Sequence, residues 1–267
     1  MSSDAVFVRE GNRWRPNEMA RGPWDPNALH GGAPAALLVH AFEACEPQEG
    51  LELARVTYDL VRPVPLAELE VHVEVVRPGR RVMLLDGVIR DAAGQVVTRA
   101  RALRARASEL GPTSDGPPPF PGPESEAALT QNGSAPPGFD REGTPMFGTH
   151  AVDIRFVQGN FREPGAATAW FRLRHPLIAG EVTSPFELTA TAGDFGNGIG
   201  TVISWEEHVF INPDLTLYFE RPPRGGWVAM QSETRVRPGA VAVSESVIWD
   251  QYGRVGRATQ ALLVSPR

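Results

Sequence analysis

The 267-residue chain contains a single cysteine, Cys45, so no disulfide can close within it. That excludes a disulfide-stapled secreted scaffold and fits a reducing compartment. It contains no apolar run near the roughly 18 to 20 residues that a membrane-crossing helix needs. An excess of positive charge is missing too. Twenty-six basic residues stand against 32 acidic ones, a net charge of −6, so nucleic acid is not expected as a partner. Six histidines, with neither a cysteine cluster nor HxxxH spacing, give no metal site. GxGxxG and GxxxxGKS/T are absent, which removes the common nucleotide-binding loops, and no cofactor is implied. The stretch MSSDAVFVREGNRW has no apolar core flanked by basic residues, so a cytoplasmic protein is expected.

What the chain does have is 42% hydrophobic residues, enough for a packed core. One segment interrupts the pattern. Residues 109–145 contain PTSDGPPPFPGPESE and NGSAPPGFD, dense in Pro, Gly and Ser, and read as a linker between units 1–108 and 146–267. The two units resemble each other. LVRPVP (60–65) parallels FERPPR (219–224) at an offset of 159. VVRPGRRV (75–82) parallels RVRPGAVA (235–242) with its RPG offset by 160, and IRDAAGQVVTRARAL (89–103) parallels IWDQYGRVGRATQAL (248–262) again at 159. Three matches in one order at a near-constant offset indicate an internal duplication.

Each unit has the same grammar. An Ala-rich helical segment comes first, over about 29–45 and about 184–197. Four runs of strand character follow it: LARVTYDLV, LEVHVEVV, VMLLDGVI and QVVTRARALRA in the first unit, and VFINPDLTLYF, WVAMQSETRV, AVSESVIW and VGRATQALLV in the second. RPG and DAAG supply hairpin turns. The fold class is therefore α+β, with each helix wrapped by an antiparallel sheet. APAALLVHAF is apolar on most faces, as a wrapped helix must be.

The first helix opens with His30, Gly31 and Gly32, and Pro34 sits just inside it. Glycine suits a helix entrance where something approaches the backbone closely, and proline in the first turn forfeits no bond. The expected result is a helix start whose N–H groups are bare, either a plain start signal or a place for developing negative charge. Cys45 is expected in the core, and Arg80, Arg81, Arg99 and Arg101 on solvated faces or hairpin ends.

HGG followed by small apolar residues, ELTATAGDFGNG with an acid late in the second helix, NPDLTLYFERP and ATQALLV, in that order, resemble the acyl-CoA thioesterase II family. Its members are double hotdogs, with two tandem hotdog units. The resemblance covers both units but not residues 109–145. It implies hydrolysis of an acyl-CoA thioester to a free acid and coenzyme A, a place in fatty acid metabolism, a small-molecule substrate and a homodimer. In the family an Asp, a Thr and a Gln of the second unit hold the hydrolytic water. Asp194 matches the acid and Gln260 the glutamine. Asn212 stands where the family has threonine, which is a departure. Gly31 and Gly32, with His30, would border the substrate's carbonyl oxygen.

The resemblance also implies that a site combines one unit's helix entrance with the other unit's acid. Aligned from their entrances, the helices place His30 opposite about Pro185 and Asp194 opposite about Val39, and the strand repeat places Gln260 opposite Arg101. One unit keeps the glycines and the other the acid, so one site should survive and its twin should be lost. Each of these residues has a plainer reading as well: Asp194 as a turn former among glycines, Gln260 as an outward polar residue, Asn212 as ordinary Asn-Pro turn chemistry. Two other functions fit the fold. One is a non-catalytic acyl-thioester or lipid-binding protein. The other is a hotdog hydratase or dehydratase, which needs a histidine beside the acid, and none accompanies Asp194 in its helix.

Overall fold

The alternating apolar runs become strands because one face of each meets a helix and the other meets solvent. The computed structural model describes residues 4–107, 116–130, 136, 143–239 and 241–267. In the first unit a hairpin, β1 (Phe7–Glu10) and β2 (Arg13–Pro16), leads to α1 (Gly32–Ala44) and then to β3 (Leu51–Asp59), β4 (Leu69–Arg77), β5 (Val82–Arg90) and β6 (Val96–Arg106). A short helix, α2 (Glu126–Thr130), lies between the units. The second unit has a hairpin, β7 (Val152–Gln158) and β8 (Ala167–Leu173), then α3 (Pro185–Gly193) and α4 (Gly196–Ile199). It ends with β9 (His208–Ile211), β10 (Asp214–Phe219), β11 (Val228–Arg235), β12 (Ala242–Asp250) and β13 (Gly253–Pro266).

The strands form one sheet in the order β1-β2-β4-β5-β6-β3-β10-β13-β12-β11-β8-β7, with β9 on β13. Read outward from the middle, the two halves of that order are the same. The dyad falls on β3 and β10, where Thr57 pairs with Thr216 and their hydroxyls lie 3.4 Å apart. These two residues are 159 apart, the offset of the repeat, so each is its own partner's counterpart. This is the double hotdog.

The structure corrects the strand alignment by one residue. Thr57 pairs with Arg101 and its counterpart Thr216 with Thr259, so Arg101 corresponds to Thr259 and Gln260 to Ala102. The cause is the last hairpin. Arg90 pairs with Val96, six residues on, whereas Trp249 pairs with Arg254, five on. A one-residue slip turns every side chain to the other face, which is why Gln260 is buried and Arg101 is exposed in a pair with Asp86.

Each helix is held by its own sheet. Nine of the thirteen α1 residues are buried, and Tyr58 of β3 donates its hydroxyl to Ala35 O at 3.1 Å. The α1 sequence has no basic residue in its last turn. Arg104 of β6 supplies that charge from beneath, donating to Phe42 O, Cys45 O and Glu46 O. A buried guanidinium on the last carbonyls satisfies them and complements the negative end of the helix dipole. The Pro-rich segment is more than a tether where it is described. Phe120 packs on Trp170 and Trp249, the Trp170 indole donates to Pro121 O, and Arg155 donates to Pro123 O, so the segment covers the outer face of β8 and β12. The rest of the expected linker, 109–115, 131–135 and 137–142, lies outside the described residues, as does residue 108. No helix is long and apolar enough to cross a membrane, among the described residues.

Candidate active site

α1 and α3 pack antiparallel, which brings the entrance of α1 to the end of α3. Asp194 closes α3 as its C-cap and is buried. Its Oδ2 lies 3.1 Å from His30 Nδ1 across the seam between the units. Its Oδ1 accepts a 2.8 Å bond from Asn212 Nδ2, and that amide's oxygen in turn accepts from Asn197 Nδ2 at 3.2 Å. Since a carboxylate only accepts, this fixes which way the Asn212 amide points. Asn212-Pro213 interrupts the expected single strand 209–219 and leaves β9 and β10 on either side, which aims the Asn212 side chain inward at the acid.

The glycine pair has two distinct jobs. A Cβ on Gly31 would lie 2.7 to 2.9 Å from the three carboxyl atoms of Asp194, and one on Gly32 would lie 2.5 Å from the backbone oxygen of Thr191 in α3. Gly31 makes room for the acid, and Gly32 for the helix crossing. The entrance is less bare than the sequence suggests. Gly32 N–H donates to His30 Nδ1 at 3.1 Å and Ala33 N–H to His30 O at 3.0 Å. Among the described residues the Gly31 N–H has no acceptor.

His30 is stacked on Phe195, ring centroids 4.2 Å apart, with Phe147 tilted at 5.2 Å. Burial pushes its pKa below the ordinary value while the Asp194 charge opposes that shift. One ring nitrogen faces both Gly32 N–H and Asp194. It can accept from the first or, protonated, donate to the second, but not both at once. No histidine stands in the helix that carries the acid, as expected, but the other unit supplies one beside it. Gln260 sits behind the acid, not beside it. Its amide nitrogen donates to Gly193 O and Asp194 O at 3.3 and 3.4 Å, and its oxygen accepts from Asn197 N–H at 3.2 Å. It fixes the α3–α4 junction. Asn197, one turn beyond Asp194, went unread in the sequence, although its spacing of three places it on the same side.

One cavity of about 560 Å³ takes in His30, Gly31, Asp194, Asn197 and Asn212. Both units line it; Gly32 and Gln260 do not. Among the described residues no group of three or more His, Cys, Asp or Glu could hold a metal ion.

Residues 20–105 match the model of the acyl-CoA thioesterase N-terminal domain, and residues 114–264 that of the C-terminal domain. The chain belongs to the acyl-CoA thioesterase family. It is an acyl-CoA thioesterase, and its C-terminal family domain takes in the Pro-rich segment from residue 114 onward. Among solved structures it resembles a hotdog-fold protein of unknown function from Alicyclobacillus acidocaldarius, with a TM-score of 0.74, 16% identity, and coverage of 98% of this chain and 97% of that one. It also resembles the acyl-CoA thioesterase II TesB2 of Mycobacterium marinum (0.63, 16%, 99% and 96%). A third likeness is to the tesB protein of Mycobacterium avium subs paratuberculosis (0.64, 15%, 97% and 96%). At these identities the likeness is one of fold. No curated protein matches the sequence.

At the opposite end of the helix pair, where the repeat would put a counterpart of this site, the thioesterase holds a polar cluster. Ser184 caps α3 in a capping box with Glu187, and its hydroxyl donates to Glu43 at 2.6 Å. His40 Nδ1 lies 2.9 Å from Glu187. Burial pushes Glu43 up to about 7, and the bond to Glu187 raises His40. A raised folded pKa stabilises the protein fully below the unfolded value and loses that stability as pH rises through the folded one. Both groups therefore favour mildly acidic pH, Glu43 over the window from about 4.5 to about 7. Glu43→Gln mimics the protonated acid. It is expected to stabilise the protein by about 1–2 kcal/mol at pH 8, a few degrees in Tm, with the gain gone at pH 4. Melting curves at the two pH values check this, and an equal gain at both contradicts it.

Proposed function

We propose that Asp194 takes the proton of the water that attacks the thioester carbonyl. A carboxylate in hydrogen-bond reach of that water is the general base. Asn212 and His30 hold the carboxylate from its two sides, and Gln260 and Asn197 fix the junction that carries it. The water oxygen bonds to the carbonyl carbon, and the carbonyl oxygen takes up negative charge. The Gly31 N–H, at the positive end of α1, receives that charge in this reading. As the carbon–sulfur bond breaks, the proton held by Asp194 passes to the leaving sulfur. The products are a free acid and coenzyme A.

The single observation that carries this reading is that Gly31 and Asp194, from opposite units, border one cavity. Asn212 in place of threonine fits it, because an amide N–H orients a carboxylate as a hydroxyl does. The test is thiol release, followed with a chromogenic thiol reagent, across acyl-CoAs from acetyl to hexadecanoyl and including benzoyl. Release from at least one is expected. No release from any, with binding retained, would overturn the reading.

A second reading has one observation in its favour. An acid and an imidazole 3.1 Å apart are what hydration of an enoyl thioester wants. Incubation with an enoyl-CoA separates the two. Loss of the enoyl chromophore without thiol release favours hydration, and thiol release favours hydrolysis.

A further inference from the structure

The catalytic cavity has a graded lining. At one side it is edged by exposed apolar side chains, Val61, Ile211 and Leu263, with Arg62 beside them. Its buried lining includes Phe161 and Trp205. The same two rings also line a second pocket of about 450 Å³, with Arg162, Thr201, Ser204 and Glu206. Two pockets therefore share these two aromatic side chains.

The two side chains form a braced wall. Phe161 and Trp205 meet edge to face at 6.4 Å, Phe156 meets Phe161 edge-on at 5.0 Å, and Trp205 is backed by Phe210 at 4.5 Å and stacked on Trp24 at 5.4 Å. Such pairs resist rotation. The second pocket carries an arginine, a glutamate and two hydroxyls, so a methyl-terminated chain gains little by reaching it.

We infer that Phe161 and Trp205 form the stop that sets the length of the acyl group, so that short and medium acyl chains fit and long straight chains do not. This rests on the thioesterase site proposed above. The volume agrees. About 560 Å³ lies within the roughly 300–1,000 Å³ of sites for drug-sized ligands, and here it must hold the acyl group and the inner part of the pantetheine arm together. The buried end of the cavity takes the acyl group, and the exposed rim with Arg62 takes the polar remainder.

Two measurements on one panel test this. The first is affinity for butyl-, hexyl-, octyl-, dodecyl- and hexadecyl-CoA thioethers, which cannot be hydrolysed, by calorimetry. The second is kcat/KM for the matching acyl-CoAs. In the unaltered protein affinity is expected to rise with length, level off once the chain meets the wall, and fall at least tenfold by hexadecyl. Phe161→Ala joins the two pockets and is expected to raise hexadecyl affinity and hexadecanoyl kcat/KM at least tenfold, with butyl and butanoyl values within about twofold. Adding Ser204→Phe, which fills the second pocket, reverses that gain. Phe161→Leu, a smaller cut that keeps more of the core, gives a part-way shift. The inference is overturned if the unaltered protein binds hexadecyl-CoA as tightly as octyl-CoA. It is also overturned if Phe161→Ala keeps its melting transition and the length profile does not move. Absence of thiol release would instead overturn the catalytic reading, because the binding series still reports the wall.

Discussion

Asp194→Asn is expected to lower kcat for acyl-CoA hydrolysis about a thousandfold and leave Tm within a few degrees of the unaltered protein. The shape is unchanged. The amide oxygen still accepts from Asn212, and the amide nitrogen faces His30 Nδ1, whose one lone pair it shares with the Gly32 N–H, so the seam stays filled. What disappears is the group that can take a proton from water, and a general base contributes typically about 10²–10⁴ in rate. Thiol-release kinetics with a good acyl-CoA, beside a melting curve, check both halves of the statement. A variant that keeps a tenth of the activity removes Asp194 from the chemistry. A variant that loses activity and melts far lower assigns it to the fold.

Two neighbouring glycines are expected to fail in opposite ways when changed to alanine. At Gly31 the new methyl meets the end of a side chain, the Asp194 carboxylate, which can swing aside but then leaves its bonds to Asn212 and His30. Gly31→Ala should therefore cost about a hundredfold in kcat/KM and little stability, since a displacement of about 1 Å at a reacting group costs that much. At Gly32 the methyl meets the Thr191 backbone oxygen, which cannot move unless α3 moves. Gly32→Ala should cost about 1–3 kcal/mol, the usual penalty of overpacking a tight contact, and lower Tm by several degrees. The two melting curves and the two kcat/KM values decide it. If the effects are exchanged, the roles given to these glycines are wrong.

How far the sequence could be read follows from the physics of each element. The eight strand runs are visible because their burial is largely one-sided and periodic, and both helices because they are apolar or small on most faces. The repeat is visible because its turns, RPG and DAAG, need particular residues. The hairpin β1–β2 is four residues a side, too short for a period to show. β8 is buried on both faces through its first five residues, partly under the Pro-rich segment, so it does not alternate. β7 does alternate and could have been read from VDIRFVQ. Within the site, Asp194 and the glycines carry local signals. The His30–Asp194 contact does not, because it joins positions 164 apart in the chain through the helix crossing. Gln260 shows the limit most clearly. Its residue type suggested the site, but only the shortened hairpin between β12 and β13 decides which face it takes.

The central claim is that one reacting centre is assembled from both units. A double-mutant cycle between Gly31 and Asp194, read in kcat/KM, tests it most directly. If the two share a site, Gly31→Ala costs about a hundredfold in the unaltered protein and nothing further in the Asp194→Asn background, where the displaced group no longer acts as a base. If Gly31→Ala costs the same factor in both backgrounds, the entrance of α1 and the end of α3 act independently, and the shared site is contradicted.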